Sequence, residues 1–90
     1  MTQALISDPE KARRLARAIV SDIAAYNPEK IKQGIENDNL FEALEDEFEE
    51  GRELYASRVE PKIIETNNFF DLAIVDVLFK YTGKHQSKIW

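Results

Sequence analysis

The densest set of groups that could do chemistry is a run of carboxylates. Residues 35–60 carry ten acidic side chains against two basic ones, Arg52 and Arg58. Residues 1–34 carry six basic and four acidic side chains, and residues 61–90 four basic and three acidic. Carboxylates at helical spacing build metal centres when histidines join them, as in the Glu-x-x-His pairs of di-iron bundles. No such pair exists here, because the one histidine is His85. Asn37-Asp38-Asn39 lacks the alternating ligands and the glycine of a calcium loop. The chain has no cysteine, which excludes disulfides and thiolate metal sites. No serine–histidine–acid set, glycine-rich phosphate loop or basic-aromatic stripe can be assembled. The expectation is a non-enzyme without metal or cofactor.

Two charge readings stay open. Lys11, Arg13, Arg14 and Arg17 face the solvent, as do Glu42, Glu45, Asp46, Glu47, Glu49, Glu50 and Glu53; or the two sets pair, within a chain or between chains. Exposed pairs contribute only about 0–1 kcal/mol each, so they select a partner more than they stabilise a fold. Glu42, Glu45, Glu49 and Glu53 form the candidate face for a basic partner protein. A second polar set is Arg17, Asp22 and Tyr26. Asp22 and Tyr26 are four apart, in reach of a hydroxyl–carboxylate hydrogen bond. They read as a polar rim locking a helix turn or, alternatively, as a small ligand site.

The elements that position these groups are helices. Gly and Pro total six, which leaves little turn chemistry for hairpins. The spacing predicts an all-α bundle of about four helices over 9–26, 28–36, 40–59 and 67–81. The first opens at Ser7-Asp8-Pro9-Glu10, with a cap, a proline at the first position and an acid at the positive end of the dipole. Asn27-Pro28 ends it and starts the second, which Gly34 weakens and Glu36-Asn37-Asp38-Asn39 terminates. The third starts from Asn39 with Glu42 three residues on, a capping-box-like pattern. Phe41, Leu44, Phe48, Gly51 and Tyr55 form its seam, and a glycine on a seam lets another helix come close. Glu60-Pro61 breaks the chain, with room for an extra turn at 61–65. The last helix is apolar nearly all round, from Phe69 to Tyr81, and such a helix must be buried all round. Residues 1–7 and 83–90 are expected as flexible ends of a single domain.

A chain of 90 residues buries only roughly 60–65% of its unfolded surface, so small domains lean on disulfides, metals or oligomerisation. Oligomerisation is what this composition leaves. The expectation is a homodimer joined through Phe48, Gly51, Tyr55, Phe69, Phe70, Ile74, Val77 and Leu78. A net charge of −5 opposes nucleic acid and anionic membrane. No stretch approaches a membrane span and no signal peptide is evident, so the cytoplasm is the expected compartment.

The run Ala12 to Asn27, A-R-R-L-A-R-A-I-V-S-D-I-A-A-Y-N, followed by Leu40 to Tyr55, L-F-E-A-L-E-D-E-F-E-E-G-R-E-L-Y, resembles a small helical module of bacterial regulatory proteins, chiefly deltaproteobacterial. That module accompanies zinc-ribbon, tetratricopeptide or response-regulator domains. The resemblance spans roughly residues 10 to 80 and implies an association module in regulation, with no catalytic residues. The chain departs from that setting in having no cysteine-bearing ribbon.

Overall fold

The computed structural model describes residues 4–86, with side chains through residue 81. Six helices follow in order among them: α1 (Pro9–Tyr26), α2 (Pro28–Glu36), α3 (Leu40–Ala43), α4 (Glu45–Arg58), α5 (Pro61–Thr66) and α6 (Phe69–Gln86). The all-α expectation holds. No helix among the described residues is long and apolar enough to cross a membrane.

The core gathers around α1. Ala12, Ala16, Ile19, Val20 and Ala24 are its buried positions, and α6 and α4 pack on them. Small side chains at Ala12 and Ala16 leave room for a neighbouring backbone. Gly51 serves the same end on α4. A Cβ there would lie 2.9 Å from both Ile19 Cγ2 and Ile23 Cδ1, and 3.1 Å from Phe70 Cζ. The seam glycine therefore marks a close crossing with α1, with the Phe70 ring of α6 on the same spot.

The joints depart from the sequence reading in four places. First, the third predicted helix is two. It breaks at Leu44 (φ −110°, ψ 11°), which is fully buried. The piece before the break follows α2, while the piece after it follows α1. Second, Gly34 is a requirement and not a weakness. A Cβ on it would stand 2.7 Å from the Leu40 Cα. Around it, the Asn39 N–H donates to the Gly34 carbonyl (2.8 Å) and the Asp38 N–H to the Ile35 carbonyl (3.3 Å), with Asp38 at φ 59°. That is the Schellman closure, with aspartate where glycine is usual. Third, Asn27 and Asn39 make no side-chain cap to the helices they precede. Asn27 Nδ2 instead donates to the Ile23 carbonyl (2.7 Å), closing α1. Asp8 does cap, accepting from the Glu10 N–H at 3.2 Å.

The ends are the fourth departure. Ile6 is not loose: its N–H donates to the Arg58 carbonyl (2.8 Å) and its carbonyl accepts from the Glu60 N–H (3.0 Å). This single parallel bridge to Val59 ties the segment before α1 to the joint between α4 and α5. At the other end, α6 runs through Gly83 to Gln86, five residues past its expected stop. The expected flexible residues 87–90 and 1–3 lie outside the described residues. The extra turn after Pro61 is α5.

Candidate docking surfaces

Helix α6 has two apolar stripes, one buried and one exposed. A helix turns about 100° per residue, so Phe70, Ala73, Ile74 and Val77 share one side, while Leu72, Val75 and Phe79 share the opposite one. The first set is buried. The second is exposed: Leu72 at 54%, Val75 at 64% and Phe79 at 68%. Asp71 and Asp76 fall on the two borders between the stripes. Arg52 of α4 meets Asp71 at 2.6 Å, and Arg17 of α1 meets Asp76 at 2.6 Å. The exposed stripe is therefore flanked on each side by a charge-neutral pair. Between it and α1 runs a groove of about 460 Å³, lined by Phe69, Leu72, Val75 and Phe79 with Arg13 and Arg17.

A second groove lies on the other side of α1, against α4. It has a volume of about 330 Å³ and is lined by Ile23, Tyr26 and Leu54 with Asp22, Glu47 and Glu50. Lys30 donates to Glu47 Oε2, and this bond holds the Glu47 carboxyl below the usual carboxylate range and the Lys30 ammonium above its own. Glu47 Oε1 is buried without a hydrogen-bond partner.

The predicted site residues separate accordingly. Phe48, Gly51, Tyr55, Phe70, Ile74 and Val77, expected at a dimer interface, are buried in the core of one copy, so they cannot be the contact surface of a folded protomer. Phe69 and Leu78 are half-buried against that core. Glu42, Glu45, Glu49 and Glu53 are exposed. Of the two charge readings, pairing of the basic side chains of α1 with these acids is not made within the chain, and the acids face the solvent. Arg13 binds Glu10 of its own helix (2.6 Å), which lowers the Glu10 pKa and raises that of Arg13, and Arg17 turns to α6. Arg17, Asp22 and Tyr26 are not one site: Arg17 lines the α6 groove, while Asp22 and Tyr26 line the α4 groove. Tyr26 is 81% exposed, so it locks no turn. Among the described residues no three His, Asp or Glu side chains are grouped to hold a metal.

Tyr55 has one polar feature inside the core. It is 3% exposed, its ring lies 5.5 Å from that of Phe70, and its hydroxyl has no hydrogen-bond partner. Burial pushes its pKa up.

The sequence reading does not place Leu72, Val75 and Phe79 at the interface. Their i, i+3, i+7 spacing was visible, but the two stripes of α6 are equally apolar and spacing alone does not say which one turns inward. Comparison with known protein families, characterised proteins and solved structures finds no match.

Proposed function

We propose that the protein is a helical association module that pairs with a second copy of itself through the outer stripe of α6. The observation that carries this is the exposure of Leu72, Val75 and Phe79 directly opposite the buried stripe of the same helix. Three such side chains present on the order of 300 Å² of apolar surface, the size at which a patch on a monomer marks a contact site. The borders suit a copy of the same surface. Arg17–Asp76 and Arg52–Asp71 are each neutral, so two copies meet without like-charge conflict at the rim, and an apolar centre with a polar rim is the usual interface anatomy. A two-fold contact presents the same patch from both partners. The resemblance of α1 and α4 to a bacterial regulatory module supports placing this pairing in a regulatory or structural assembly, without catalysis.

Sedimentation across a hundredfold range of concentration tests it. The expected result is a shift from dimer to monomer on dilution, with a melting temperature that rises with concentration. Val75→Glu is expected to give a folded monomer at every concentration. A wild-type monomer throughout, with a flat melting temperature, overturns the reading.

A further inference from the structure

The two grooves beside α1 differ in sign. The α6 groove has two guanidinium groups, Arg13 and Arg17, and one carboxylate, Asp76. The α4 groove has Asp22, Glu47 and Glu50 and no basic lining residue. The floor is apolar: Ile23 is half-buried, and Leu54 is exposed at its edge. Tyr26 presents its ring to solvent at the rim, where an aromatic face attracts a cation. Lys30 donates to one oxygen of Glu47, so the net charge of the groove rests on Asp22 and Glu50.

From these features we infer that the α1–α4 groove is a docking site for a segment of another protein that carries arginine or lysine flanked by aliphatic side chains. The aliphatic side chains lie on Ile23 and Leu54. The cationic group is held by Asp22 and Glu50 and stacks on Tyr26. The site is distinct from the outer stripe of α6 and stands or falls independently of dimerisation. It also differs from the exposed acids Glu42, Glu45, Glu49 and Glu53, which offer charge but no apolar floor. Charge alone speeds encounter, whereas a mixed apolar and acidic groove also selects the partner.

The test is a titration of the isotope-labelled full chain, followed by amide chemical shifts, with a capped peptide of repeated Leu-Arg-Lys-Leu. The matched control peptide has glutamate in place of arginine and lysine. The expected result is saturable movement of the amides of Ile23, Tyr26, Glu50 and Leu54 with the basic peptide and none with the acidic one. Asp22→Asn combined with Glu50→Gln should weaken binding about tenfold, most strongly at low salt, as removal of rim charges that face a cation does. Tyr26→Ala should weaken it as well, which a purely electrostatic attraction would not show. All three side chains are exposed or at the rim, so these variants keep the fold. Several results overturn the inference: no saturation at millimolar peptide; shifts centred on Glu42, Glu45 and Glu49 or on Leu72 and Val75; equal binding by arginine amide alone; or groove shifts that follow dilution of the protein itself, which would make a second copy the occupant.

Discussion

Helices α4 and α6 both pack an inner stripe against α1, yet they turn opposite surfaces to solvent. Behind Phe48, Gly51 and Tyr55, α4 carries Glu45, Asp46, Glu49, Glu50 and Glu53, all exposed. Behind Phe70, Ile74 and Val77, α6 carries Leu72, Val75 and Phe79. Water completes the first surface at no cost, since ionised carboxylates are best solvated there. It does not complete the second, because each exposed apolar side chain gains roughly 1.5–3 kcal/mol on full burial. The lesson is that a run of acids such as that of α4 marks the side that stays in water, whereas a helix apolar on two sides leaves that choice to its neighbours.

The comparison breaks most visibly at adjacent residues of α6. Ile74 is 4% exposed and Val75 is 64% exposed. Ile74→Ala is expected to destabilise the fold by about 2–5 kcal/mol in denaturant melts, as large-to-small core substitutions do. Val75→Ala should change the stability of the monomer hardly at all. Equal losses at the two positions would mean that α6 is rotated about its axis, with Val75 turned toward α1.

On α4 the inner stripe is tested at Gly51. Leucine there must displace Ile19 and Phe70, and Gly51→Leu is expected to destabilise by roughly 1–3 kcal/mol, outweighing the gain of under about 1 kcal/mol from helix propensity. Thermal or urea unfolding of the variant reads the sign directly, and a net gain would remove the close crossing.

A smaller effect of opposite sign is expected at Tyr55. Its hydroxyl is buried without a partner, and an unmet polar group costs about 1–3 kcal/mol. Tyr55→Phe keeps the ring contact with Phe70 and removes that cost, so stability should rise by about 1 kcal/mol. A fall in stability would show that the hydroxyl is satisfied.

The smallest effect belongs to the outer side of α4. Replacing Glu45, Glu49 and Glu53 by glutamine removes like charges at four-residue spacing, each worth a few tenths of a kcal/mol. The melting temperature should stay the same or rise slightly at low salt and be indistinguishable from wild type at high salt, where the charges are screened. Unfolding of the triple variant would make the acids structural and erase the contrast with α6.

Much of this architecture is determined by local sequence. The Asp8-Pro9-Glu10 start of α1 follows from cap and dipole chemistry acting within one turn, and the Asn27-Pro28 and Glu60-Pro61 breaks follow from the geometry of proline. The termination of α2 around Asp38 and the inner stripe of α4, down to its glycine, are equally local. What tertiary structure decided are the properties that depend on residues far apart in the chain. Gly34 is needed because Leu40 folds back onto it, and helix propensity at Gly34 carries no trace of that contact. Leu44 breaks a run of good helix formers because the segments on either side follow different neighbours. Arg17 chooses Asp76 over the acids of α4 since the packing of α1 on α6 brings that carboxylate within 2.6 Å. The division of α6 into a buried and an exposed apolar stripe is of the same kind: burial of either stripe is worth nearly the same locally, and only the positions of α1 and α4 determine which is removed from water.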